Sequence, residues 1–441
     1  ARIRRLALEA LSTAHAASDD LLTSAAHDAD AQVRRLAVRE AGGPPNTPRS
    51  DMSERRAAIV AAALTDLSPM VRLEAMRAAD CDAAAKATAD GEAHVALAAL
   101  DRLGRCADPA AAVAELEHAV DDLGAVASPR GWHRAAHAIV ALAAAAPERA
   151  AAVLPRFTAS TTWQLRMYAA RAAATLKDRG ALEKLAADAD DNVREAAVEG
   201  LRRVAGHDAD AVYASELDRR GYQVVRAAAT ALDGTTHADS AAPALKKAWS
   251  RLMAEAHDNS HDARAAIEKA LATLGVTGTT SPAQRTWQSD LNADDLKRLA
   301  SPRARLTIRG VGTFDLALFT AEAPATVLRF ARLAQSGYYN GLTFHRIVPN
   351  FVIQGGSPGA SEYVGDEAFM RDEVGLWPHV RGAVGISTRG HDTGDAQIFI
   401  DLVDNPRLDH TYTVFAQVLN GIDVVDRILE GDVIERIEII P

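Results

Sequence analysis

One recurring pattern constrains this chain more than any other: an apolar residue followed by a basic one, opening a run of small residues. Clear copies are Ile3-Arg4-Arg5-Leu6-Ala7, Val33-Arg34-Arg35-Leu36-Ala37, Val71-Arg72-Leu73-Glu74-Ala75, Leu165-Arg166-Met167-Tyr168-Ala169, Val193-Arg194-Glu195-Ala196-Ala197 and Val225-Arg226-Ala227-Ala228-Ala229. Weaker copies open at Val95, His133 and Ala263. The nine copies are spaced by 32.5 residues on average, the length of one helical hairpin. Residues 1–275 are dense in alanine, with Leu, Val and Arg at helical intervals, so helix is the default. A single hairpin of this kind cannot bury its own apolar face, and stacking on its neighbours is the remedy.

Asp-rich turns precede several copies, as in Asp28-Ala29-Asp30 and Asp188-Ala189-Asp190-Asp191-Asn192. Their carboxylates suit the free N–H groups and positive end of the coming helix. The motif arginine is expected to reach an aspartate of a neighbouring turn. The pattern resembles HEAT-like repeats of the short bacterial kind, which implies a curved α-solenoid serving as a scaffold for a client or partner protein. Gly42-Gly43-Pro44-Pro45-Asn46-Thr47-Pro48 interrupts it as a surface loop, since its prolines and glycines deny a continuous helix. His133 and His137 stand four apart but have no third ligand in sequence, so no metal is expected. Cys81 and Cys106 are read as inert packed thiols, with a single bridge as the alternative.

Gly275-Val276-Thr277-Gly278-Thr279-Thr280-Ser281-Pro282 ends the helical pattern and opens a linker over 276–302, with a short helix near 290–299. From Arg303 the period changes to two. Leu306, Ile308, Phe314, Leu316 and Leu318 alternate with polar or small residues and read as two antiparallel strands. Pro324 opens a helix whose apolar face is Val327, Phe330, Leu333 and Ala334, and Gly337 ends it. Further strands are expected at 344–347, 352–355, 383–387, 398–402, 413–418 and 433–440, with a second helix over 422–428.

Within this region Phe344-His345-Arg346-Ile347-Val348-Pro349-Asn350-Phe351-Val352-Ile353-Gln354-Gly355-Gly356 places an unpaired arginine among apolar residues and closes on two glycines where the backbone turns or is approached closely. The run resembles the signature of the cyclophilins, the peptidyl-prolyl cis/trans isomerases, and the resemblance continues over about 140 residues through Asp395-Ala396-Gln397-Ile398-Phe399, Leu408-Asp409 and Tyr412-Thr413-Val414-Phe415. It implies a multidomain chain: a helical repeat array over 1–275, then a cyclophilin-like domain over 303–441 folded as a closed antiparallel β-barrel with two helices. It also implies catalysis by Arg346, a proline pocket walled by Phe351, Val352, Phe399 and Leu408, polar groove positions at Gln354 and Gln397, and main-chain contacts at Ser387 and Thr388. No cofactor is implied.

The departures are specific. Arg407 stands where many eukaryotic members carry tryptophan, Tyr412 where they carry histidine, Val352 for their methionine and Thr388 for their asparagine. Tyr412 still supplies an apolar wall with a polar tip. Tight cyclosporin binding is not expected to follow from the resemblance. His345 is read as satisfying backbone groups in the barrel, and Asp392-Thr393-Gly394-Asp395 as a surface loop beside the groove. The rival to catalysis is an adaptor that binds proline-containing segments without turning them over.

A net charge of -10, with 12 basic and 18 acidic residues in 301–441, argues against a nucleic-acid partner. With no run of about twenty apolar residues, no membrane-spanning helix is expected. The start at Ala1 without methionine reads as a trimmed or mature form, which leaves the compartment, cytoplasmic or periplasmic, unread.

Overall fold

In the computed structural model, which describes residues 1–44, 52–106, 109–122, 130–255, 257–277, 279–280, 291–299, 302–366 and 368–440, every copy of the repeated pattern lies on a helix. Residues 45–48 of the interrupting loop and 278, 281–290 and 300–301 of the linker lie outside the described residues. The chain divides into two compact units, Ala1–Leu154 and Pro155–Pro441.

In the first unit the motif helices Arg2–Thr13, Ala31–Gly42, Pro69–Met76, Ala93–Leu103 and His133–Ala145 pack in succession. Leu22, Leu36, Ala37 and Ala75 are among the residues buried between them and their partners. The arginine of one repeat joins the acidic turn of the next: Arg34 Nε and Nη2 donate to Asp66 at 2.7 and 2.8 Å, and Arg72 repeats this on Asp90 at 2.8 and 2.8 Å. The same aspartates accept the N–H groups of Ser68 and Glu92, two residues on, so one carboxylate closes a turn and fixes the adjacent repeat. Hydrogen bonding from Arg34 holds the Asp66 carboxyl below the usual carboxylate range.

Cys81 and Cys106 form a disulfide, with Cα atoms 5.8 Å apart, which corrects the expectation of two free thiols. The cause is the hairpin: Cys81 opens helix Cys81–Ala87 and Cys106 follows the end of Ala93–Leu103, so an antiparallel pair brings both to one end. His133 Nδ1 lies 3.1 Å from the Arg130 carbonyl and His137 Nδ1 lies 2.9 Å from Asp101. Among the described residues no group of three His, Cys, Asp or Glu side chains could hold a metal, and no helix is long and apolar enough to cross a membrane.

In the second unit Trp163–Leu176, Asp191–Val204, Tyr222–Leu232 and His261–Thr273 pack in the same succession, with Arg166 on Asp188 at 2.6 and 2.8 Å. They are followed by the short helix Ala293–Arg298 and by eight strands: β1 Arg303–Ile308, β2 Gly312–Leu318, β3 Thr343–Val348, β4 Val352–Ser357, β5 Ala383–Ile386, β6 Ile398–Asp401, β7 Val414–Asn420 and β8 Ile434–Ile440. All neighbours are antiparallel, in the order β3-β4-β6-β5-β7-β2-β1-β8. Phe314, Phe330, Phe344, Ile353, Ile398 and Phe415 are among the buried residues that fill the concave face, which helix Pro324–Gln335 plugs with Val327, Phe330 and Ala334. The closed barrel expected from the strand count is not reached. The sheet is a curled half-barrel whose edge strands meet, among the described residues, at the Thr343–Val433 bridge and adjacent backbone bonds, such as Phe344 N–H to the Asp432 carbonyl at 2.9 Å. The bonds that join the two edges lie where β3 and β8 begin, with Ile434 N–H on the Leu342 carbonyl at 2.7 Å and Gly341 N–H on the Ile434 carbonyl at 2.8 Å.

Candidate active site

A strand alternates its faces strictly, so Phe344 and Arg346, two apart, would share a side. The register shows otherwise. Phe344 pairs with Gly355 and Arg346 with Gln354, neighbours on β4 that point to opposite faces, which leaves His345 as an extra residue in a β-bulge. The bulge sends Phe344 into the core and turns Arg346 to the outer face. Gly355 permits it: a Cβ there would stand 2.8 Å from both the Thr343 carbonyl and the Phe344 ring.

The outer face then carries one row of partners across the sheet, Arg346 to Gln354, Gln354 to Phe399, and Phe399 to Gly385, with Val352 opposite Asp401 one step along. Arg346 is not buried; its side chain is 41% exposed. Nor is it unpaired as the sequence suggested. Its Nε forms an ion pair with Glu362 Oε1 at 3.0 Å and its Nη1 donates to Gln354 Oε1 at 3.5 Å. The chain continues inward as Gln354 Nε2 donates to Gln397 Oε1 at 3.1 Å and Gln397 Nε2 donates to the carbonyls of Glu362 and Val364, each at 3.0 Å. Gln354 and Gln397 are both buried, so these bonds are needed to offset lost hydration.

Asp395 anchors Gln397 from behind. Its Oδ1 accepts the N–H groups of Ala396 at 2.6 Å and Gln397 at 2.9 Å, and burial raises its pKa against the pull of those bonds. The expected surface loop is thus corrected: Thr393, Gly394 and Asp395 are buried because this carboxylate turns inward to cap the approach to β6.

The apolar wall is built on Phe399. Its ring stacks on His379 with centroids 5.7 Å apart and meets Tyr412 edge-on at 5.8 Å. A Cβ on Gly385 would lie 2.4 Å from the Phe399 ring, so the glycine sets where the phenylalanine sits. Gly385→Ala is expected to push Phe399 outward and raise KM for a proline peptide severalfold, with a smaller change in kcat; steady-state kinetics checks this. Behind the ring, His379 Nδ1 lies 2.9 Å from Asp401 Oδ2, with both side chains fully buried, and Asn405 Nδ2 donates to the other Asp401 oxygen at 2.5 Å. Asn405 also donates to the Phe351 carbonyl at 3.2 Å, which ties the β3–β4 turn to the same cluster. Asn350 takes the left-handed conformation in that turn, at φ 57°, a place that suits asparagine. Arg407 lies over the Phe351 ring at 4.3 Å.

Arg346, Val352, Gln354, Gln397, Phe399 and Tyr412 are therefore brought together by register or direct contact, and Phe351 is tied to them through Asn405. Ser387 joins through its N–H on the Gln397 carbonyl at 2.9 Å. Leu408, on the turn Pro406–Leu408, and Thr388, beside Gly394, are half-buried at the margins. Sequence reasoning missed Glu362, His379, Asp401 and Asn405. The one signal for Glu362 was its place within ten residues of Gln354, and no periodicity marks the other three.

The ring nitrogens of His345 are buried, and burial pushes its pKa down to about 4, with a backbone bond at Thr343 pulling the other way and Arg346 adding to the fall. The folded state thus holds the neutral ring while the unfolded chain protonates near 6.5. Its contribution is complete above pH 6.5 and is lost as pH falls to about 4, on the order of 3 kcal/mol at most. Denaturant titrations at pH 7 and pH 4.5 are expected to differ less in His345→Gln than in the parent.

The family model described as Cyclophilin type peptidyl-prolyl cis-trans isomerase/CLD matches residues 303–439. A peptidyl-prolyl cis-trans isomerase of Helicobacter pylori strain J99 is 40% identical over 134 residues, covering 30% of this chain and 83% of that protein. Peptidyl-prolyl cis-trans isomerase B of Bacillus subtilis is 36% identical over 127 residues, covering 28% of this chain and 89% of that protein. A crystal structure of a Cryptosporidium parvum cyclophilin type peptidyl-prolyl cis-trans isomerase is 23% identical, with a TM-score of 0.30, over 32% of this chain and 98% of that one.

Proposed function

Because this chain belongs, through residues 303–439, to the cyclophilin-type peptidyl-prolyl cis-trans isomerases, we propose that Arg346 is its catalytic residue and that Phe351, Val352, Phe399, Leu408 and Tyr412 wall the pocket for the proline ring. An X–Pro bond turns slowly because rotation breaks amide resonance, at a barrier of ~18–20 kcal/mol. In the twisted state the prolyl nitrogen regains a lone pair and the carbonyl loses conjugation. A fixed cation that donates to either stabilises that state more than the planar isomers. Arginine stays protonated and its planar fork holds direction. Gln354 and Gln397 line the groove, and the main chain at Ser387 and Thr388 contacts the bound peptide backbone.

The single observation that carries this reading is the half-exposed Arg346 guanidinium beside the Phe399 wall, on the same outer row of the sheet. The residues that do the chemistry need no metal or cofactor, since no bond is made or broken. Residues 1–275 are read as a HEAT-like array that binds a client or partner protein, 276–302 as a linker and 303–441 as the isomerase, a division that fits assistance to protein folding. The nine motif helices, packed in succession within each unit, support this. A protease-coupled assay on an X–Pro peptide with the full chain tests the proposal. Accelerated isomerisation is expected, whereas saturable peptide binding with no acceleration would leave the adaptor reading.

A further inference from the structure

The loop after β4 links the active arginine to the helices of the same unit. Glu362 in that loop holds Arg346 Nε, while its own carbonyl accepts from Gln397 Nε2 and from an Arg389 guanidinium N–H. Arg389 Nε donates to Asp262 at 2.5 Å, and Asp262 belongs to helix His261–Thr273. The next residue, Tyr363, has the Arg226 guanidinium 4.5 Å from its ring centre and that of Arg389 at 5.5 Å, and Arg226 belongs to helix Tyr222–Leu232. Asn192, on a third helix, donates to the Gly359 carbonyl at 3.0 Å. Three consecutive motif helices thus grip the segment that presents Glu362.

Resting on the isomerase reading, we propose that Glu362 is a positioning residue for Arg346, and that Asp262, through Arg389, holds Glu362 where it is. The helical region then forms part of the isomerase site. A long side chain at a half-exposed position loses several rotamers when it is fixed, and Glu362 on Nε with Gln354 on Nη1 removes that freedom before substrate arrives. The pair is too exposed to add much stability, so its consequence falls on geometry, where displacement by about 1 Å costs up to 10²-fold. Arg389 lies outside the row that touches the groove, which makes Asp262 a remote handle on the reaction.

The test is a double-mutant cycle on the full chain with an X–Pro peptide. Glu362→Ala is expected to lower kcat about tenfold with KM within twofold, and Glu362→Gln, which keeps an acceptor for Nε, to restore most of it. Asp262→Ala is expected to lower kcat three- to fivefold, Asp262→Glu to rescue it, and the double variant to be no slower than Glu362→Ala alone. Unchanged thermal transitions keep the comparison valid, and the glutamine and glutamate variants serve where an alanine variant melts early. An unchanged or raised kcat in Glu362→Ala, or additive losses in the double variant, would overturn the proposal. An active parent and an inactive Arg346→Ala alongside either result sink this inference alone, while an inactive parent sinks the isomerase reading.

Discussion

Arg346→Ala is expected to lower kcat/KM for an X–Pro peptide by roughly 10²–10³-fold, with far-ultraviolet circular dichroism and the thermal transition unchanged. At ~1.4 kcal/mol per tenfold that is about 3–4 kcal/mol of transition-state stabilisation, the size found when one preorganised donor is removed from a site sheltered from water. The fold should survive because the guanidinium makes one half-exposed ion pair and one long hydrogen bond, neither of them in the core. Arg346→Lys keeps the charge but loses the planar fork, the bond to Glu362 Oε1 and the bond to Gln354, so it should recover less than a tenth of the activity. A loss below threefold in the alanine variant would mean that the cation does not act on the rotating amide.

Asp401→Ala carries the largest expected cost in stability, about 3 kcal/mol, read as an earlier urea midpoint. The carboxylate serves two buried groups, His379 Nδ1 and Asn405 Nδ2, and its removal strands the first and leaves the second with the Phe351 carbonyl alone. Asp401→Asn keeps an acceptor oxygen and should cost less than half as much. The substitution should reach the reaction as well, because His379 backs the Phe399 ring and Asn405 holds the Phe351 carbonyl. KM is therefore expected to rise. Equal midpoints for parent and Asp401→Ala would show that the pair contributes nothing to the folded state.

How much was legible depended on how local the cause was. The helices followed from alanine density and spacing, and the arginine-to-aspartate joints from a motif arginine followed by an acidic turn. The strands fell within a few residues of their expected bounds because a change of period from 3.6 to 2 is written in adjacent residues. Gly355 and Gly356 declared a close approach, met by the Thr343 carbonyl and by a φ of 89°. The disulfide was not legible, since the hairpin that brings residues 81 and 106 together has to be folded first. Nor was the burial of Asp395, whose partners are backbone groups that no side-chain pattern reports.

By itself, the order of residues determined which segments are helical and which extended, the row of apolar positions that must face inward, and the family resemblance of the last third. The direction in which Arg346 faces was decided by tertiary structure alone. Alternation places it on the same side as Phe344, and only the extra residue at His345, accommodated against Gly355, turns it outward. A bulge depends on pairing with a second strand, and the ion pair with Glu362 depends on a loop gripped by helices far earlier in the chain. Such contacts arise from closing distant segments together, and a linear pattern carries no record of that closure.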